Sequence, residues 1–205
     1  MERQLPRSGS GARGRSSEPQ PGQFRFDVVD SLVEGARQND LRLILLWFGT
    51  WKNGVMDYAP AWVKQNPAQY PRMKDSHGQE IRVLSPHSRA NLEADSRAFS
   101  AFLGHLREVD GDRHTVIMVQ VENEPGSLGS VRDFSEEANR IFAGAAPAAL
   151  VQGLHKKAGT WNEAFGADAD ETFAAWHVAC YMKMLCASCM YFLSVMIYLY
   201  VFLGE

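Results

Sequence analysis

Two short and almost entirely apolar runs constrain the fold of this chain more than any other feature. They lie at 41–48 (LRLILLWF) and 115–121 (TVIMVQV). Runs of this length without polar alternation are typical of strands buried on both faces, as in a parallel sheet. The sequence therefore predicts two buried parallel strands.

An amphipathic helical pattern precedes each apolar run. Apolar residues repeat at helical spacing over 28–38, with Asp27 in the position of an N-cap. A second pattern runs to about residue 109 and begins at Ser85, with Pro86 as the first helical residue. The order helix, strand, helix, strand predicts an α/β fold, with the parallel sheet either open or closed into a barrel.

The segments around this framework are less regular. Residues 49–84 form a long excursion rich in glycine, proline and aromatic residues, and loops of this length are usually functional. A short helix is predicted at 148–156. A longer helix is predicted to begin near Asp168 or Asp170 and to continue into the apolar tail.

Both ends of the chain differ in composition from its centre. Residues 1–16 combine arginine, serine and glycine with little apolar content, which predicts disorder, and no apolar stretch of a secretory signal follows them. Residues 184–203 contain no charge and are long enough to span a bilayer as a helix. We therefore expect three parts: a disordered segment at 1–16, an α/β domain at 17–178, and an apolar helical tail at 179–205. Membrane association follows only if this tail is a genuine membrane anchor; otherwise the location of the protein is open.

Charge and cysteine content exclude some classes of function. The net charge of −3 shows no nucleic-acid footprint. Cys186 and Cys189 form a C-x-x-C pair, but without a second pair they fit small apolar residues of a helix better than a redox or zinc site. The six histidines show no metal-ligand spacing, so we expect neither a metal nor an organic cofactor.

Three polar residues follow the second apolar run directly: Glu122, Asn123 and Glu124. Two carboxylates at the end of a buried strand are costly to desolvate. Strand alternation predicts that the two glutamates point the same way, although strand ends often break this pattern. The functional interpretation is a general acid whose pKa is raised by its surroundings, and the alternative is a salt-bridged or helix-capping cluster.

The residues around these carboxylates resemble a known family. The segment VQVENEPG at 119–126 resembles the acid/base motif of clan A glycoside hydrolases, and its Q-x-E-N-E form is similar to family 35 β-galactosidases of bacteria. LLWFGTWKNG at 45–54, YAPAWV at 58–63 and the run at 18–26 resemble the segments that precede the motif. The resemblance covers about residues 18–178.

The resemblance implies a partial (β/α)₈ TIM barrel with parallel strands that acts on a galactoside by a retaining mechanism. Glu124 would be the acid/base and Asn123 would bind the sugar 2-hydroxyl. Four further residues are implied to contact substrate, with loop packing as the alternative for the tryptophans: Glu122, Trp51, Asn53 and Trp62.

The sequence also departs from the family pattern. Many family 35 members have Ala-Glu-Trp at the end of the strand before the motif, where this chain has Gly49, Thr50 and Trp51. A second Asn-Glu pair, Asn162 and Glu163, fits a loop or helix start better than a catalytic site.

No later strand ends in the glutamate that a retaining enzyme needs as its nucleophile, so we expect this chain by itself to hydrolyse galactosides weakly or not at all. The alternatives are a non-catalytic, membrane-tethered barrel fragment that acts in binding, and an open α/β binding domain.

Overall fold

Four parallel strands form the main sheet of the protein. The computed structural model describes residues 2–4, 17–187 and 196–198. The main sheet has the order β1–β2–β5–β6, and β3 and β4 form a separate antiparallel pair. The strands are Glu2–Gln4 (β1), Leu43–Lys52 (β2), Arg72–Lys74 (β3), Glu80–Leu84 (β4), Val116–Asn123 (β5) and Met196–Tyr198 (β6). The helices are Asp27–Gln38 (α1), Ala61–Lys64 (α2), Arg89–Asp110 (α3), Glu136–Phe142 (α4), Ala148–Gly153 (α5), Trp161–Phe165 (α6) and Ala169–Ala187 (α7).

Long helices connect the parallel strands: α1 lies between β1 and β2, α3 between β2 and β5, and α7 between β5 and β6. All three strand pairings are parallel. This arrangement matches a partial TIM-barrel-like α/β fold, which confirms the predicted class. The described strands form an open sheet, so no closed barrel is shown.

The core lies between one face of the sheet and the three long helices. Leu45 of β2 and Val119 of β5 are fully buried, and they pack in one cluster with Val33, Phe102 and Leu185 from α1, α3 and α7. These residues occupy alternate strand positions and helical repeats, so the periodicity of the sequence builds this layer directly.

Helix α1 begins one residue earlier than expected. Asp27 is its first helical residue rather than its cap, and the N-cap Phe26 offers no side-chain hydrogen bond. The other end of α1 is anchored by Arg37, which donates to Asp110 at 2.6 Å and so ties α1 to the end of α3. Burial alone would raise the pKa of Asp110, but hydrogen bonds from Val116, Thr115 and Arg37 hold it below its usual value.

Helix α3 begins later than the sequence predicts. Its N-cap is Ser88, whose hydroxyl accepts from the backbone N–H of Asn91 at 3.2 Å. Ser85, the predicted cap, instead donates its hydroxyl to Asp133 at 2.6 Å. The prediction is wrong because both serines suit a cap, and a carboxylate distant in sequence binds the first one.

The excursion at 49–84 is more ordered than expected. β2 continues to Lys52, and the helix α2 and the β3–β4 hairpin follow it. Asp75 closes the hairpin turn by accepting from the backbone N–H groups of His77 and Gln79, both at 2.9 Å. Gly78 occupies the left-handed region in this turn, with φ of 78°.

The ends of the chain also differ from the predictions. Glu2–Gln4 forms β1, although disorder was predicted for 1–16; residues 5–16 lie outside the described residues. Helix α7 crosses the predicted boundary at 178 and ends at Ala187, while Met196–Tyr198 is a strand rather than part of a helical tail. Of the helices described, none has the length and apolar character to cross a membrane. Most of the predicted span at 184–203 lies outside the described residues.

Candidate functional site

The carboxyl ends of β2 and β5 are joined by hydrogen bonds. The backbone N–H of Asn53 donates to the carbonyl of Asn123 at 2.9 Å, and that of Gly54 donates to the carbonyl of Glu124 at 3.1 Å. The amide of Asn123 also donates to the side-chain oxygen of Asn53 at 2.8 Å. Three predicted site residues, Asn53, Asn123 and Glu124, therefore lie together at the edge of the sheet where sites of parallel α/β folds form.

The backbone at this edge is held in an unusual conformation. Glu122 and Glu124 have φ of 58° and 49°, and Asn53 on the neighbouring strand end has φ of 52°. The left-handed region is uncommon for residues other than glycine, and asparagine tolerates it better than glutamate. Because such strain concentrates at functional sites, it marks this strand end as a candidate site. It also breaks the alternation, so Glu122 is buried while Glu124 is exposed.

The carboxyl group of Glu122 fills a bulge in β2. Trp47 pairs with Val121 and Lys52 with Asn123, so four residues of β2 lie between these pairs where β5 has one. The carboxyl group accepts the backbone N–H groups that the bulge leaves without strand partners, which belong to Gly49 at 3.1 Å, Thr50 at 2.8 Å and Trp51 at 2.8 Å. Glu122 therefore holds the end of β2 rather than facing a ligand.

A second buried carboxylate, Asp95 of α3, contacts Glu122. It accepts from the indole N–H of Trp47 at 2.9 Å and from the hydroxyl of Thr50 at 2.6 Å. Burial raises the pKa of Glu122 well above its usual value, and the nearby charge of Asp95 raises it further, against the backbone hydrogen bonds that lower it. Burial and the neighbouring carboxylate therefore both favour the protonated form of Glu122.

Helix α7 completes this buried polar cluster. The hydroxyl of Tyr181 lies 2.7 Å from that of Thr50, and its ring packs edge-on against Trp51 at a centroid distance of 4.6 Å. Since Thr50 donates to Asp95, Tyr181 donates to Thr50. We call Thr50, Asp95, Glu122 and Tyr181 the buried polar cluster; it lies directly beneath the exposed strand ends that carry Asn123 and Glu124.

The two tryptophans predicted to stack on sugar are engaged within the protein. Trp51 is 1% exposed, and its indole N–H donates to the carbonyl of Leu84 at 3.2 Å. Trp62 is half-buried, donates to the carbonyl of Glu18 at 3.2 Å and packs edge-on against Tyr70. Trp51 is therefore a core residue, and Trp62 connects α2 to the segment before α1. Both tryptophans fit the alternative interpretation, packing within the protein.

The second Asn-Glu pair is at a helix start, as the sequence indicated. Thr160 caps α6 and accepts from the backbone N–H of Glu163, while the side chain of Glu163 accepts from the backbone N–H of Thr160 at 2.7 Å. This reciprocal capping box occupies the carboxylate of Glu163 and lowers its pKa. The pair is structural.

A pair of imidazoles lies between the loop at 85–88 and α7. The ring centroids of His87 and His177 are 4.6 Å apart, and both rings pack against Phe173. Burial, and then the neighbouring His87, lower the pKa of His177 to about 4. Burial also lowers the pKa of His87, against the carboxylates of Asp133 and Glu137, which raise it.

Sequence reasoning missed Asp95, Thr50 and Tyr181 as members of the buried polar cluster. One signal was present: Asn91 and Asp95 interrupt the apolar face of α3 one turn apart, and both are buried. Polar residues on a core-facing stripe require buried partners. The identity of those partners depends on residues 45 to 131 positions away in sequence, which periodicity does not connect.

The parallel strands, the crossing helices and the position of the site define a partial TIM-barrel-like α/β fold, and the solved structures similar to it include β-galactosidases and a β-amylase. A β-galactosidase from the psychrophilic Marinomonas ef1 is 13% identical, with a TM-score of 0.64, over 89% of this chain and 30% of that one. A GH42 β-galactosidase is 15% identical, with a TM-score of 0.58, over 89% and 29%. The β-amylase catalytic domain of Paenibacillus polymyxa is 11% identical, with a TM-score of 0.57, over 88% and 55%.

These similarities concern the fold alone, because the identities are low. The chain spans about a third of the length of the β-galactosidases it matches. No protein-family model matches the chain, and neither does any curated protein. The specific likeness to family 35 therefore stays a prediction.

Proposed function

We propose that this chain carries the acid/base part of a glycoside hydrolase site, with Glu124 as the proton donor and β-galactosides as the substrate class. The observation that carries the proposal is the position of Glu124: exposed, on left-handed backbone, at the carboxyl end of β5 and beside Asn53 and Asn123. An exposed carboxylate at this edge of a parallel sheet is free to reach a substrate.

In the proposed reaction Glu124 protonates the glycosidic oxygen as the bond breaks and then, as a carboxylate, takes a proton from the attacking water. Asn123 contacts the sugar 2-hydroxyl. One N–H of its amide is bound to Asn53, and its oxygen accepts from Gln120 at 3.1 Å, which leaves one N–H for substrate. These contacts fix the orientation of the Asn123 amide before substrate arrives.

A retaining mechanism needs a second carboxylate about 5–5.5 Å from the first. Among the described parallel strands, only β5 is followed directly by a carboxylate; β1, β2 and β6 are followed by Leu5, Asn53 and Leu199. Glu122 does not supply this group, because its oxygens accept the N–H groups of the β2 bulge. The proposal therefore places the nucleophile outside these four strand ends.

The choice of galactosides rests on the sequence motif at 119–126 and on the β-galactosidases among the similar structures. The β-amylase among them shows that the fold by itself does not select a sugar. The substrate class is therefore tested by comparing aryl β-galactosides with aryl β-glucosides. Preferential hydrolysis of glucosides would contradict the galactoside assignment while leaving the role of Glu124 intact.

The role of Glu124 is tested by hydrolysis of two galactosides by the full chain and by Glu124→Gln, with exposed Glu108→Gln as the matched control. A poor leaving group needs protonation, whereas a dinitrophenolate does not. We expect Glu124→Gln to slow cleavage of an alkyl galactoside by about 10²- to 10⁴-fold and to spare the bond-breaking step with the dinitrophenyl substrate. Equal loss with both substrates, or no loss, would contradict the assignment.

A binding measurement covers the case in which turnover by the wild-type chain is below detection. Titration of the chain with an alkyl β-galactoside should then shift the nuclear magnetic resonance signals of the side-chain amides of Asn123 and Asn53. Absence of both turnover and binding would contradict a glycoside site at this edge of the sheet.

A further inference from the structure

Three buried nitrogen atoms around Phe173 have no hydrogen-bond partner among the residues that the structure describes. They are Nδ1 of His87, Nε2 of His177 and the indole Nε1 of Trp161. The three rings lie 5.2, 4.4 and 5.0 Å from the Phe173 ring, centroid to centroid. A buried polar group without a partner destabilises the folded state, so three around one phenyl ring point to a ligand that satisfies them.

We propose that His87 and His177 bind one divalent transition-metal ion of the zinc, nickel or copper group through these unpaired nitrogens. Imidazole is a preferred ligand of all three ions. A metal bound at about 2.0–2.1 Å from a ring nitrogen lies about 3.2 Å from the ring centroid. Two such rings on one ion have centroids about 4.5–5.2 Å apart for N–metal–N angles of about 90–109°. The observed separation is 4.6 Å.

The proposed ion has two protein ligands, because the described part of the chain places no group of three or more histidine, cysteine, aspartate or glutamate residues to hold a metal. Its remaining coordination positions would be filled by water. A metal-bound water is an acceptor for the indole N–H of Trp161, whose ring centroid lies 5.9 Å from that of His177. The carboxylates of Asp133 and Glu137 raise the pKa of His87, whereas the guanidinium of Arg132 lowers it. Arg132 is itself paired with Asp170 at 2.6 Å.

The ion would fasten the loop at 85–88 to α7, two segments about ninety residues apart. This loop begins α3, which carries Asp95, and α7 carries Tyr181, so the ion would brace the helices on both sides of the buried polar cluster. The role is structural and does not depend on the proposed hydrolase activity. Residue spacing in the sequence does not indicate such a site, because the two histidines lie in different elements.

The test is thermal unfolding of the full chain, freed of metal with a chelator, with and without ZnCl₂ or NiCl₂ and with MgCl₂ as the ion control. A ligand that binds only the folded state raises the midpoint temperature. We expect Zn²⁺ or Ni²⁺ to raise it and Mg²⁺ not to. His87→Gln and His177→Gln should each weaken the apparent affinity by more than about tenfold, while exposed His77→Gln should not.

A spectrum of the wild-type protein provides a second readout that does not depend on the folding of the variants. Electron paramagnetic resonance of bound Cu²⁺ should show coupling to two imidazole nitrogens. Coupling to no imidazole or to a single one, the same midpoint shift in wild type and both variants, or no shift with any transition metal would each overturn the proposal.

Discussion

The carboxylate of Asp95 lies against the α-carbon of Gly49, in the space that a β-carbon at position 49 would occupy. The contact is steric, since Gly49 does not have a positive φ. It brings α3 close enough to β2 for Asp95 to accept from Thr50 and Trp47 and to meet Glu122. Glycine at this position therefore permits the buried polar cluster to form.

Gly49→Ala should destabilise the protein by about 1–3 kcal/mol, because the added methyl group overlaps Asp95 in a fully packed region. Gly35→Ala is the matched control. Gly35 lies within α1 with open space around it, so alanine there should stabilise by about 0.5–1 kcal/mol. Urea unfolding measures both. Equal stability of the two variants would contradict the steric role of Gly49.

Much of the framework is predictable because it depends on local pattern. The spacing of Val29, Val33 and Ala36 predicts α1, and the apolar runs predict β2 and β5 to within a few residues. The bulge in β2 is not predictable in this way. Glu122 of the neighbouring strand β5 accepts the N–H groups that have no strand partner in the bulge. These hydrogen bonds join residues more than seventy positions apart in sequence.

Only part of the candidate site could be predicted from the sequence, namely the part that depends on local pattern. A polar cluster at the end of an apolar strand is visible in sequence, so Glu124, Asn123 and Asn53 could be placed at one sheet edge. The family resemblance implies that Trp51 contacts substrate, with loop packing as the alternative, and in the structure its ring lies in the core. Local pattern gives the strand end, and tertiary packing decides which side chains remain exposed there.

The stability of the protein should depend on pH through Glu122. Its pKa is raised in the folded state, so its contribution is fully present below the usual value of 4.5 and is lost as pH rises through the folded value. Glu122→Gln cannot ionise, and its single amide oxygen can still accept from Gly49 and Thr50, although its NH₂ group replaces the oxygen that accepts from Trp51. The free energy of unfolding of wild type should therefore fall relative to that of Glu122→Gln as pH rises above the usual pKa of 4.5. Parallel pH profiles would show that Glu122 is already ionised in the folded protein.

Tyr181→Phe tests whether α7 is tied to the site by a hydrogen bond. The phenol is fully buried and donates to Thr50, so its removal should cost about 0.5–1.5 kcal/mol in urea unfolding. Tyr70→Phe is the control, because its ring packs against Trp62 and no hydrogen bond of its hydroxyl is part of the cluster. A loss no greater than that of Tyr70→Phe would mean that ring packing alone holds α7 here.

Glu124→Gly tests whether the left-handed backbone at residue 124 lowers the stability of the protein while serving its proposed function. Relief of the left-handed conformation, with φ of 49°, should gain about 1–2 kcal/mol, and the freedom of glycine in the unfolded chain should cost about 0.5–1 kcal/mol. The net expectation is a gain of about 0.5–1 kcal/mol together with loss of galactoside hydrolysis or binding. Glu108→Gly, in the last turn of α3, should instead lose about 0.5–1 kcal/mol, because glycine is a poorer helix former. If Glu124→Gly is destabilised as much as Glu108→Gly, the backbone at 124 is not strained. The exposed glutamate would then need no functional reason to be kept in this conformation.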